Sequence, residues 1–259
     1  MLTPTQIAGK AISIGETKAS SKTSKTFVLA VFAGAFIALG PFGPQIASLN
    51  AKNPATGKLL GALVFPIGLL MVLCAGAELF TGNSLILIPV LEGKVKLFGM
   101  LKNWVIVYLG NFLGGVLVAL GVTCGGSLSA FEGLANAVVN TAVAKCSLSF
   151  TDALIRGIFC NILVCAAVWI SFGAGELAGK ITGLFLPVTL FVLCGFEHCV
   201  ANMYFIPAGF FAAAEYGTDA GNLSISGFLL GNLLPVTLGN IIGGAVVVGA
   251  GYWFSYLKK

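Results

Sequence analysis

Apolar residues run almost without interruption through six stretches of the chain, near 27–49, 59–91, 99–123, 152–173, 181–215 and 224–256. Each holds at least about 20 residues, enough for a helix to cross a hydrocarbon layer about 30 Å thick. The pattern predicts an all-α integral membrane protein with six transmembrane helices. Two stretches stand out. The second and fifth have about 33 and 35 residues, and as straight helices either would reach about 50 Å. Each also carries a polar cluster at mid-depth, Gly76-Ala77-Glu78-Leu79-Phe80-Thr81-Gly82-Asn83 in one and Gly195-Phe196-Glu197-His198-Cys199-Val200-Ala201-Asn202 in the other. Two half-helices joined by a non-helical loop at the membrane centre account for both features. Exposed backbone at that depth survives only inside protein or along a cavity. A long, tilted, unbroken helix is the alternative.

The remaining segments frame a single transmembrane domain. Residues 1–26 read as an amphipathic cytoplasmic helix, with Thr3 as its cap, Pro4 at the first helical position and Ile7, Ala11 and Ile14 at helical spacing. Such a helix either gates the inner mouth or rests on the headgroups, and resting is the simpler expectation. Residues 27–123 form a first unit and 150–259 a second. The stretch 124–149 between them is too polar to span and forms an outer loop, with a short surface helix expected over Leu134–Val143. Basic residues set the orientation. With the N-terminus inside, Lys10, Lys18, Lys22, Lys25, Lys94, Lys96, Lys102, Lys180, Lys258 and Lys259 face the cytoplasm, against Lys52, Lys58 and Lys145 outside and Arg156 at the edge of the fourth span. Both termini are therefore expected on the cytoplasmic side of a cell's inner membrane.

Composition sharpens this picture. Of 259 residues, 58% are hydrophobic and only 9% charged, against roughly 25% charged in soluble domains. The net charge of +5 is spread over loops and termini, with no continuous basic patch, so nucleic-acid binding is not expected. Seven cysteines include no C-x-x-C pair, which argues against a disulfide framework or a zinc site. The start of the chain has four lysines and no apolar core of a secretory signal, so the first apolar run is itself the membrane address.

The two halves match internally. Gly76-x-Glu78-x4-Asn83 and Gly195-x-Glu197-x4-Asn202 share one pattern at an offset of 119 residues, and Leu109-Gly110-Asn111-x-x-Gly114-Gly115 matches Leu238-Gly239-Asn240-x-x-Gly243-Gly244. The chain is thus two copies of a three-span unit. Three is odd, so the second copy sits upside down. Inverted repeats whose broken helices meet at the midplane mark the solute pathway of transporters and channels. The paired glycines at G-x-x-x-G spacing are read as helix-packing positions.

Ionisable groups at mid-membrane are functional candidates. Glu78 and Glu197 occupy equivalent places, which favours a structural role accepting hydrogen bonds from loop amides over proton transfer. His198 breaks the symmetry, because its counterpart is Leu79 and the chain has no other histidine. Its ordinary pKa of about 6.5 leaves two readings open, a histidinium that attracts an anion or a neutral donor of one hydrogen bond. A core histidine tied to backbone is a further possibility. Thr81 offers a hydroxyl from the opposite loop, and Leu79, Phe80 and Phe191 can form apolar constrictions. Such constrictions oppose bare ions, which favours the anion of a weak acid able to take a proton in transit. Asn53-Pro54-Ala55 matches the aquaporin signature only once, in a loop, and reads as a turn. Glu197-His198-Cys199 are consecutive and cannot converge on one metal ion; neither a metal nor a cofactor is expected.

The motifs Ala77-Glu78-Leu79-Phe80-Thr81-Gly82-Asn83, Gly157-x-x-Cys160-Asn161-x-Leu163-Val164-Cys165-Ala166-x-x-Trp169 and Gly195–Met203 together resemble the formate/nitrite transporter family. The resemblance covers nearly the whole chain. It implies an aquaporin-like protomer, a homopentamer with one pore per protomer, and constrictions at Leu79 and Phe191. It places Thr81 and His198 in the chamber between them, adds Lys145 beside that chamber to draw anions in, and leaves Glu78, Asn83, Glu197, Asn202 and Asn161 supporting the broken helices. Family members pass formate, nitrite, lactate or hydrosulfide, and Leu79-Phe80-Thr81-Gly82-Asn83 is most similar to the hydrosulfide channel branch. The expected function is a passive channel for small monovalent anions, hydrosulfide first and formate or nitrite also, with a proton-coupled formate or nitrite transporter as the alternative. An enzyme is not expected, since no nucleophile–base pair or metal cluster is present in the sequence.

Overall fold

The computed structural model describes residues 1–258; the expectation for Lys259 lies outside them. Among these residues the chain is helical throughout, with no strands. In order come α1 (Pro4–Ser20), α2 (Thr23–Ser48), α3 (Pro54–Val64), α4 (Ile67–Ala75), a 3-10 turn (Gly82–Ile86) leading into α5 (Leu87–Leu91), α6 (Leu97–Cys124), α7 (Leu134–Cys146), α8 (Phe150–Gly173), α9 (Leu177–Leu193), α10 (Cys199–Tyr216) and α11 (Gly227–Tyr256). The last helix contains wider π turns over Gly227–Leu233 and Ile242–Ala250. Leu109, Leu113, Leu117 and Leu120 lie exposed along one face of α6, as do Leu186 on α9 and Leu230 on α11. Leucines in such numbers on the outside suit a hydrocarbon solvent rather than water. The chain is a multi-pass membrane protein.

Both long apolar stretches are broken, and the unbroken alternative fails. α4 ends at Gly76 and α9 gives way at Gly195; these glycines have φ of +82° and +71°. Left-handed backbone stops each helix and is tolerated because glycine lacks a Cβ. The chain then runs without helix to Thr81 on one side and to His198 on the other.

The glycine pairs are contact points between helices. A Cβ on Gly110 would meet that of Ala30 at 2.5 Å, and one on Gly114 would strike the Val31 carbonyl, so α6 lies directly against α2. In the other copy, Cβ atoms on Gly239 and Gly243 would strike the carbonyls of Leu154 and Ile158 on α8. These are the close approaches that small residues permit.

The flanking helices match expectation in part. α1 has the predicted cap, with the Gln6 backbone N–H donating to the Thr3 hydroxyl at 3.4 Å and the Thr3 N–H to the Gln6 side chain at 2.9 Å. Its apolar face is turned into the protein, however. Ile7, Ala8, Ala11 and Gly15 are buried against α5 and α8, while Ile14 is only half-buried. α7 forms where a surface helix is expected, with Asn136, Asn140 and Ala144 exposed on one face and Leu134, Val138, Val139 and Ala142 fully buried on the other, largely against α10. Asn53 is a helix cap rather than a simple turn residue, accepting from the Ala55 N–H at 2.9 Å with Pro54 as the first residue of α3.

Candidate functional site

The two breaks are held by the same set of side chains in each copy. Asn111 on α6 accepts from the Phe80 N–H at 2.9 Å and donates to the carbonyls of Ala30 and Glu78 at 2.7 and 2.9 Å. Asn240 on α11 accepts from the Cys199 N–H at 2.9 Å and donates to the carbonyls of Gly157 and Glu197 at 2.8 and 3.0 Å. Each fully buried amide thereby supplies what the missing helical turn cannot. Sequence reading treated these motifs through their glycines and missed the asparagines. The available signal was an amide at the same register of two apolar spans, where it must find partners.

The glutamates stand beside these loops, and they accept from side-chain amides of the half-helices rather than from backbone N–H groups. Glu78 accepts from the Lys18 ammonium at 2.9 Å and the Asn83 amide at 2.7 Å. Glu197 accepts from the Lys145 ammonium at 2.9 and 3.0 Å and the Asn202 amide at 2.7 Å. Asn83 and Asn202 also donate to Asn103 and Asn232, which in turn donate to the backbone carbonyls of Lys18 and Lys145. α1 and α7 therefore occupy matching places, each delivering one lysine to one broken helix. The copies are not identical. Lys18 also reaches Asn83 Oδ1 at 2.9 Å, whereas Asn202 Oδ1 is buried without a partner among the described residues.

Between the two networks the symmetry ends. The Nε2 of His198 lies 3.0 Å from the Thr81 hydroxyl, and Nδ1 lies 3.0 Å from the Ala201 N–H. Because Ala201 donates to Nδ1, that nitrogen holds a lone pair and the ring proton belongs on Nε2. His198 is thus the N-cap of α10, a neutral ring that donates to Thr81. A histidinium would place a proton where the Ala201 N–H already points. The Thr81 oxygen accepts from His198, which leaves its own hydroxyl hydrogen free for a solute. The Thr81 backbone carbonyl is fixed by Asn161, which also donates to the carbonyl of Asn240 at 2.7 Å.

Apolar rings flank this pair. Phe191 lies almost parallel to His198 with centroids 6.0 Å apart, and Phe65 meets Phe191 edge-on. Beyond Phe191 opens a cavity of about 380 Å³, bordered by His198, Lys145, Glu197, Lys58, Gln45 and Phe205 among others. On the other side Leu79, with Lys18, Asn83 and Val168, borders a space of only about 40 Å³. Phe80 borders neither; its ring packs edge-on against Trp104 and Tyr108. Lys145, which sequence pattern alone left in a loop, stands at the rim of the larger cavity with its ammonium 4.8 Å from the Phe205 ring centre.

Comparison with known proteins agrees with this architecture. Residues 5–254 match the family model described as formate/nitrite transporter. A probable formate transporter of Methanothermobacter thermautotrophicus is 38% identical, the match covering 99% of this chain and 97% of that protein. The formate channel FocA of Escherichia coli K12 is 37% identical, covering 100% of this chain and 96% of its own. Among solved structures, a pentameric formate channel with formate bound superposes with a TM-score of 0.78 at 35% identity, covering 91% of this chain and 98% of that one. An FNT family ion channel superposes with a TM-score of 0.85 at 30% identity, covering 97% and 98%. These relatives are channels and transporters, not enzymes.

Proposed function

The chain belongs to the formate/nitrite transporter family, and from that premise we propose that it is a passive channel for small monovalent weak-acid anions, with formate as principal solute. The observation that carries this reading is the His198–Thr81 bond at the meeting point of the two broken helices, with Phe191 on one side and Leu79 on the other. An anion entering past Phe191 loses water, and the Thr81 hydroxyl offers one hydrogen bond in return. The apolar rings favour a weak acid, whose anion can take a proton from vestibule water and cross them as the neutral acid. Phe80 supports Leu79 from behind, and the Glu78, Asn83, Glu197, Asn202 and Asn161 sets keep the two loops rigid.

The names of the relatives favour formate over hydrosulfide and nitrite, and the pentamer of one structural relative supports a homopentamer here. The basic residues gathered on the side of α1 support cytoplasmic termini, which makes the larger cavity the outer vestibule. A proton-coupled transporter would need a titrating group free to cycle. Glu78 and Glu197 are tied to lysines and both His198 nitrogens are engaged, which weighs towards the passive reading.

Purified protein in liposomes, challenged in turn with formate, nitrite and hydrosulfide, tests the reading. Formate flux that follows the gradient in either direction and exceeds that of protein-free liposomes is the expected result. Equal flux of all three anions would make the pore a general weak-acid channel. Uphill accumulation driven by a pH gradient alone, in vesicles tight to the neutral acid, would replace the passive channel with the coupled transporter.

A further inference from the structure

The outer cavity is bordered by three charged side chains, and two of them cancel. Lys145 lies within 3.0 Å of both Glu197 oxygens, so that pair presents little net charge to an approaching ion. The third, Lys58 on α3, forms no ion pair or side-chain hydrogen bond among the described residues. It is exposed, yet its ammonium reaches inward to within 3.9 Å of where a Cβ on Gly195 would sit, at the break of the second copy. A second unspent donor borders the same cavity. The Tyr204 hydroxyl donates to Gln45 Oε1 at 3.1 Å, which leaves Gln45 Nε2 buried with no partner. α2 and α3 run side by side here, with Pro44 against Gly61 and Ser48 against Gly57, so Gln45 lies on the stretch of α2 that passes Lys58.

We propose that Lys58 and Gln45 form a capture site for a small monovalent anion in the outer vestibule, one step before Phe191. The inference rests on the channel reading and extends it. Lys58 supplies the uncompensated charge that concentrates anions in a low-dielectric cleft, and Gln45 supplies a neutral N–H that a carboxylate oxygen can accept. Lys145 then serves to hold Glu197 and the broken helix, and anion capture falls to a residue outside the repeat symmetry: the position matching Lys58 has no role in the other copy's network.

Concentration-dependent formate flux in liposomes, at low and near-physiological ionic strength, separates capture from conduction. Lys58→Gln is expected to raise the half-saturating formate concentration about five- to tenfold at low salt, with the maximal rate retained and the salt dependence flattened. Lys58→Arg restores the parental values. Gln45→Leu raises half-saturation without changing the salt dependence, because it removes no charge. Size-exclusion profiles identify variants that fail to assemble, and Lys58→Met replaces Lys58→Gln in that event. Parental half-saturation and salt dependence in a neutral Lys58 variant would overturn the site, as would parental half-saturation in Gln45→Leu. A parent protein with no anion flux would instead refute the channel reading itself.

Discussion

The Nε2 of His198 and the hydroxyl of Thr81 lie 3.0 Å apart, one from each broken helix, and this bond closes the centre of the molecule. His198 does two jobs at once, because its other nitrogen caps α10 through the Ala201 N–H. Asparagine is a good helix cap, and leucine is not. His198→Asn is therefore expected to keep the assembled fold while altering flux. His198→Leu should alter flux and also lower stability, with about 1 kcal/mol of cap stability removed. Thermal unfolding in detergent alongside liposome flux distinguishes them; equal stability of the two variants would refute the capping role.

Thr81→Val preserves shape and removes the hydroxyl. Formate flux is expected to fall about tenfold, corresponding to roughly 1.5 kcal/mol for a hydrogen bond to a charged solute. Thr81→Ser should retain most of the flux. Parental flux in the valine variant would show that the solute passes without using this group.

Lys145 and Glu197 form a pair with little exposure to solvent. Lys145→Ala leaves a carboxylate without its ammonium and is expected to cost about 3–5 kcal/mol. The double variant Lys145→Ala/Glu197→Gln should recover much of that loss, since the stranded charge is gone. Additive effects in a double-mutant cycle of unfolding midpoints would sink the pairing argument.

Asn240→Ala strips three hydrogen bonds from the second break, leaving the Cys199 N–H without its acceptor and removing a donor from the carbonyls of Gly157 and Glu197. A loss of about 3 kcal/mol is expected at about 1 kcal/mol for each bond, visible as reduced yield of assembled protein. Asn111→Ala should behave alike, because it serves the same three roles at the first break. A large difference between the two would mean that the copies are not mechanically equivalent.

Much of this was legible in the sequence because lipid simplifies the problem. Span length alone does not locate the breaks, since 224–256 is as long as 59–91 yet forms the single helix α11; the repeat of Gly-x-Glu-x4-Asn at mid-depth does. The close glycine contacts also follow from spacing. What pattern could not give was pairing between distant segments. Lys18 lies 60 residues from Glu78 and outside every apolar run, so hydropathy assigns its helix to the surface although the helix is packed inward. Lys145 was left in the outer loop for the same reason: polar residues near a membrane mark water in one place and a buried network in another. His198 was identified by its uniqueness, but its neutral state required knowing that the Ala201 N–H already occupies Nδ1.

The upside-down repeat bears on what a cell can do with such a pore. A passage that presents nearly the same scaffold to both compartments has no intrinsic sense of import or export. A solute that diffuses through such a pore moves in whichever direction its own gradient points. What departs from the symmetry, a single imidazole facing a leucine and an open vestibule facing a narrow one, can make the rates of entry from the two sides differ but cannot reverse the net flow.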